Sequence, residues 1–133
     1  MKILAAYDGG GPSEKVLETA IAHAKAFDAE VAVATSMETG DEKNSGRIKE
    51  AERRLEYARK KLESAGTTCR THLLIRGLEP GEDLVGFAVE NGVDEILIGI
   101  RSRSRVSKIV FGSTAQYIIF HAACPVVTVK EGD

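Results

Sequence analysis

Five short apolar runs recur along the chain with a helix-like segment in every gap, and this alternation limits the possible folds more than any other feature. The runs cover 3–7, 30–36, 68–75, 94–99 and 125–130, and most are apolar at successive positions. Strands covered on both faces read this way. Between them, 13–27 carries Val16, Leu17, Ala20, Ile21, Ala24 and Phe27 at helical spacing, and 47–65 carries Ile48, Ala51, Leu55, Ala58 and Leu62. The segments 80–90, with Leu84, Val85, Ala88 and Val89, and 112–121 complete the set. The order βαβαβαβαβ predicts a parallel sheet with helices on both faces, a doubly wound α/β domain with right-handed crossovers. The chain has 133 residues, enough for one domain with its own core. Turn residues separate the elements: Asp8 to Pro12 after the first strand, with Ser13 a candidate N-cap, and Gly66 at a helix C-terminus. The stretch 37–46 is nearly free of apolar residues and reads as a flexible surface loop.

Composition narrows the partners. The formal net charge is −2, so no global field draws nucleic acid or an anionic membrane. No apolar run reaches the length needed to span a bilayer, and the N-terminal run reads as a strand and not as a signal peptide. A cytoplasmic protein is the expectation. Cys69 and Cys124 are far apart and lack metal-ligand spacing, so they read as small, partly buried hydrophobes. His23, His72 and His121 fall in three different elements, with no metal or catalytic grouping.

Against this near-neutral background one stretch stands out. The fourth apolar run ends in Gly99-Ile100-Arg101-Ser102, and Gly112-Ser113-Thr114 follows after nine further residues at the start of a helix. Arg101, Arg103, Arg105 and Lys108 make the intervening segment basic. A helix N-terminus offers unpaired N–H groups and partial positive charge, and hydroxyls and cations beside it suit a phosphate. The plainer reading is a solvated basic loop, a turn glycine and a capping serine. Neither GxxxxGK[ST] nor GxGxxG is present. Asp8, ending the first strand, could accept from a ribose hydroxyl or an amino group, or ligate a cation; the plainer reading is an Asx-turn. Ser36, ending the second strand, could touch a bound base or be an ordinary strand end. A phosphoacceptor receiver domain is rejected, because the third strand ends in Leu74-Ile75-Arg76 with no Asp to modify.

These segments carry a family resemblance. Ile3 to Gly9 with Ser13, Ile96 to Gly99, Phe111 to Thr114 and His121 to Val127 together resemble the universal stress protein family over essentially the whole chain. The nucleotide-binding branch has Gly, two residues, Gly, nine residues, Gly, then Ser or Thr; this chain keeps the spacing, with Ser102 at the second glycine. The resemblance implies a five-stranded parallel sheet of order 3-2-1-4-5. It implies ATP, accompanied by Mg²⁺ or Mn²⁺, held by Asp8, Gly99, Ser102, Gly112, Ser113 and Thr114. Ala6, Tyr7 and Ile98 at the strand ends, Ser36, Arg101 and Arg103 join the expected site. The resemblance further implies a homodimer formed through strand 126–130, in a stress response. Two other readings are open: a dimeric interaction module of the same family that binds no nucleotide, favoured by Ser102, and a slow ATP hydrolase, for which the sequence offers no evident base–nucleophile pair.

Overall fold

In the computed structural model, the described residues are 1–39, 45–103 and 108–131, with side chains described except at 102, 103 and 108–110. Arg105, residues 40–44 of the expected surface loop, and the side chains of Ser102, Arg103 and Lys108 therefore lie outside the described residues. Four strands alternate with three helices along the first three-quarters of the chain: β1 (Lys2–Ala6), α1 (Ser13–Phe27), β2 (Glu30–Ser36), α2 (Ser45–Ser64), β3 (Cys69–Leu74), α3 (Pro80–Glu90) and β4 (Glu95–Arg103). A short β5 (Lys108–Val110), α4 (Ser113–His121) and β6 (Val126–Lys130) complete it. The parallel sheet runs β3-β2-β1-β4-β6, which is the expected order 3-2-1-4-5 with β6 as the fifth parallel strand.

The pleat explains the doubly apolar strands. Successive side chains point to opposite faces. Ile3, Ala5, Val31, Val33 and Leu97 pack with Val16, Leu17 and Ala20 of α1 and with Leu55, Ala58 and Leu62 of α2. Leu4, Ala6, Ala32, Ala34, Ile96 and Ile98 pack on the other face with Leu84, Phe87 and Ala88 of α3 and with Ala115 and Ile118 of α4. Full burial of a Leu or Ile stabilises by roughly 1.5–3 kcal/mol, so these two layers dominate the fold's stability. The outer face of α2 carries i,i+3 and i,i+4 pairs, with Glu50 meeting Arg53 and Arg54, and Arg59 meeting Glu56 and Glu63. Among the described residues, no helix is long and apolar enough to cross a membrane. Cys69 and Cys124 are unpaired, and partial burial pushes both thiols up from their ordinary values.

Three expectations need correction. Phe27 and Val89 lie at the edges of their apolar stripes and are exposed, whereas Phe87 is buried. Pro12, not Ser13, is the N-cap of α1, and Ser13 is its first helical residue. The fourth strand does not stop at Gly99: it continues to Arg103 and turns back, pairing Arg101 with Val110, Ser102 with Ile109 and Arg103 with Lys108 in antiparallel register. The β-branched Ile109 and Val110 favour that pairing, which the run of cations conceals in the sequence.

His72, on edge strand β3, packs its ring at 4.8 Å and a tilt of 58° against Phe87, beside a cavity of about 220 Å³ that Lys2 and Arg70 also line. Burial, then the charges of Arg70 and Lys2, hold its imidazole below the ordinary value. The unfolded chain therefore binds a proton near pH 6.5 that the folded chain takes up only at lower pH, so stability falls as pH drops through that value. His72→Gln should flatten the decline in melting temperature between about pH 7 and 5; an unchanged slope would assign the acid sensitivity to other groups.

Candidate functional site

The strand order reverses at β1, which has β2 on one side and β4 on the other, so the chain diverges beyond Ala6 and Ile98, which face each other in register. Ligands of open α/β sheets bind at such a point. A cleft of about 430 Å³ lies there, lined by residues from β1, β2, β4 and the starts of α1, α3 and α4. Most of the expected site residues meet in it: Ala6, Tyr7, Asp8, Ser36, Ile98, Gly99, Arg101, Gly112, Ser113 and Thr114 all line the cleft. Ser102 and Arg103 are in the paired extension of β4, just past Arg101.

Each lining residue has a local reason for its place. Asp8 Oδ1 accepts from the Gly10 N–H at 2.7 Å and from the Ser13 hydroxyl at 3.1 Å. This is the Asx-turn that the sequence allowed. Gly9 takes φ +80°, a conformation that glycine adopts without strain. The Asp8 carbonyl accepts from Arg54 Nη1 of α2 at 2.8 Å, which ties the turn to the helix layer. Among the described residues Asp8 Oδ2 has no partner, so one carboxylate oxygen of an exposed side chain remains for a ligand. Tyr7 also belongs to the core layer shared with α1 and α2, where burial raises the phenol, and its carbonyl accepts from Thr35 Oγ1 at 2.6 Å.

The opposite wall is cationic and donor-rich. Gly112 is the N-cap of α4 and, being glycine, has no side chain with which to cap the helix. The first-turn N–H groups of Ser113 and Thr114 therefore carry their partial positive charge towards the cleft. Arg101 is exposed and lines the same space; its Nη2 would lie 3.2 Å from a Cβ placed on Gly10, beside Asp8 Oδ1. The floor and the end nearest β2 are apolar, formed by Ala6, Leu84, Ile98, Ile100 and Pro80. The cleft thus has an anion-accepting end at α4 and an apolar end towards Ser36.

The two expected site glycines serve different ends. An added Cβ on Gly99 would stand 2.6 Å from Pro12 Cγ and 3.3 Å from Val16 Cγ2, so the α1 N-terminus seats directly on this glycine. On Gly112 an added Cβ would meet no described atom within 4 Å. Sequence reasoning missed Asp83, which is fully buried behind Ser36 and accepts its hydroxyl at 2.7 Å. A signal was present, since Asp83 sits four residues before Phe87 on the inward face of α3. Among the described residues no group of three or more His, Cys, Asp or Glu is arranged to hold a metal ion.

Residues 1–130 match the Universal stress protein family. The chain is 30% identical over 147 aligned positions to the universal stress protein YxiE of Bacillus subtilis, covering 97% of this chain and 98% of that protein. It is 29% identical to the universal stress protein Slr1230 of Synechocystis, but spans only 42% of that protein's length. A universal stress protein structure from Archaeoglobus fulgidus superposes with a TM-score of 0.89 at 37% identity, covering 98% of both chains. Another from the same organism, solved in complex with dAMP, superposes with a TM-score of 0.78 at 31% identity, again covering 98% of both. With residues 1–130 matched by the family and its fold and nearly its full length shared with these relatives, the chain belongs to the universal stress protein family.

Proposed function

We propose that this protein binds ATP in the switch-point cleft, with the phosphates at the start of α4 and the adenosine towards β2. The observation that carries the reading is the cleft's polarity: an uncapped helix start and Arg101 at one end, and apolar walls closed by Ser36 at the other. Its volume of about 430 Å³ is within the range of about 300–1,000 Å³ typical of small-molecule sites. The dAMP complex of the Archaeoglobus fulgidus relative supports an adenine nucleotide as the ligand class. On this reading Ser113, Thr114 and Arg101, which line the cleft, donate to phosphate oxygens, and Asp8 Oδ2 accepts from a ribose hydroxyl. Mg²⁺ or Mn²⁺ would accompany the phosphates and offset their charge.

The chain acts as one unit over residues 1–133, as a cytoplasmic homodimer in a stress response. The pairing edge is β6, whose recorded strand partner is β4 and whose Val126 and Val127 are only half-buried. A strand edge with open backbone groups and valine side chains suits pairing with a second copy. The rival reading, a dimeric interaction module that binds no nucleotide, draws on Ser102 lying in paired, extended backbone and not in a glycine turn.

Native mass spectrometry of freshly purified protein, followed by calorimetric titration with ATP–Mg²⁺ and with AMP, separates the two readings. Bound adenine nucleotide and measurable ATP heat are expected; no nucleotide and no heat would leave the interaction module. Asp8→Ala should lower ATP affinity by roughly 10- to 150-fold, because a carboxylate accepting from a ligand contributes roughly 1.5–3 kcal/mol. Any turnover per bound nucleotide should change less. A large loss of turnover at unchanged affinity would instead make the protein a hydrolase.

A further inference from the structure

We infer that buried Asp83 fixes the polarity of the Ser36 hydroxyl, so that the apolar end of the cleft selects a purine bearing an amino group at position 6 over one bearing an oxo group. The inference rests on the nucleotide-binding reading above and goes beyond it to the choice of base. Ser36 ends β2 and lines the cleft, and its Oγ donates to Asp83 Oδ2 at 2.7 Å. Asp83 is on the first turn of α3, has no solvent exposure, and is ion-paired to Arg76, whose Nε donates to Oδ1 at 2.5 Å. Arg76 is itself held by Glu90 at 2.9 Å and donates from Nη2 to the Asp83 carbonyl at 3.1 Å. The guanidinium thus occupies Oδ1 and leaves Oδ2 to Ser36.

The chemistry follows from counting protons. A carboxylate paired with a guanidinium accepts and does not donate. Ser36 has one hydroxyl proton, and Asp83 takes it. What Ser36 can still offer the cleft is its oxygen lone pairs, so it accepts from a ligand and cannot donate to one. The phosphate end lies past β4, two strands away from β2. At about 4.8 Å per strand, roughly 10 Å separates Ser36 from that end, so the part of a nucleotide that reaches it is the base. An exocyclic amino group satisfies the Ser36 oxygen. A carbonyl in its place sets two acceptors against each other in a largely apolar setting, which disfavours binding.

The test compares ATP with ITP, which has the same sugar and phosphates but an oxo group at position 6. The wild-type protein should prefer ATP by about tenfold or more, the discrimination a single well-placed hydrogen bond supplies. Ser36→Ala should bring the two affinities within about threefold of each other, and Ser36→Thr, which retains a hydroxyl, should restore the preference. Asp83→Asn gives the sharper prediction. Its carbonyl oxygen stays on Arg76 Nε, its amide nitrogen donates to Ser36 Oγ, and the freed hydroxyl proton turns towards the cleft. The ATP-to-ITP ratio should then fall below that of Ser36→Ala, whereas a purely structural role for Asp83 would weaken both ligands and leave the ratio unchanged. Should Asp83→Asn fail to fold, the two Ser36 variants decide alone. Equal binding of ATP and ITP by the wild type, or an unchanged ratio in Ser36→Ala, overturns the inference and leaves nucleotide binding standing. Binding of neither nucleotide by the wild type removes both.

Discussion

Gly112→Ala should cut ATP affinity by about tenfold or more, roughly 1.4 kcal/mol, while moving the melting temperature by no more than about 3 °C. The fold has no need of glycine there. The backbone is extended, with φ −70° and ψ 165°, a conformation open to any L residue, and an added Cβ meets no described atom within 4 Å. Two small stability effects offset each other. Alanine restricts the unfolded chain, which stabilises by about 0.4–1 kcal/mol, but it is a poorer N-cap than glycine by a similar amount. A ligand changes the balance. Gly112 lines the cleft at the uncapped start of α4, where an anion would approach the first-turn N–H groups. A methyl group at that approach keeps phosphate oxygens from hydrogen-bonding distance. Calorimetric titration alongside a thermal melt checks both halves. Full affinity in a Gly112→Ala protein would move the phosphates away from α4.

What could be read from the sequence follows from how locally each feature is encoded. The alternation of strands and helices is written in periodicity, and strands apolar at successive positions announce a sheet covered on both faces, so the order of the helices and parallel strands was legible. The ends of the apolar stripes were not. Val89 has the same residue character as the buried positions, but it lies two residues beyond Phe87, roughly 200° around α3, and so faces solvent. The extension of β4 was hidden because Arg101 and Arg103 mark a loop by composition, while the partners that make them a strand, Val110 and Lys108, come only after the chain has turned back. Asp8 was legible as a turn residue because the bonds that define that role, from Gly10 N–H and the Ser13 hydroxyl, come from within five residues of it. Asp83 was legible only by its i,i+4 spacing from Phe87 on α3, and not as a partner of Ser36. An acidic residue in the first turn of a helix ordinarily complements the helix dipole at the surface. Only the folded chain brings Ser36 from β2 and Arg76 from the loop after β3 around it.

Gly99→Ala should have the reverse signature of Gly112→Ala, a loss of stability that precedes any effect on ligand. The added Cβ would stand 2.6 Å from Pro12 Cγ, 2.8 Å from Pro12 Cβ and 3.3 Å from Val16 Cγ2. Pro12 cannot swing aside, because its ring is rigid and it caps α1. Relief therefore requires α1 to shift on the sheet or β4 to bow, and overpacking of this kind costs about 1–3 kcal/mol. For a chain of this size, about 4 °C accompanies each kcal/mol, so a fall in melting temperature of roughly 4–12 °C is expected. The displacement also reaches the cleft, since Pro12 leads into Ser13, whose hydroxyl bonds to Asp8. Nucleotide affinity should fall as well, but only in proportion to the movement of that turn, and ligand should recover part of the lost melting temperature. An unchanged melting temperature with reduced affinity would mean that Gly99 is kept clear for the ligand, as Gly112 is. The paired glycines of the motif then separate by physical role: one is small because the first helix must sit on the fourth strand, the other because something outside the chain must approach the last helix.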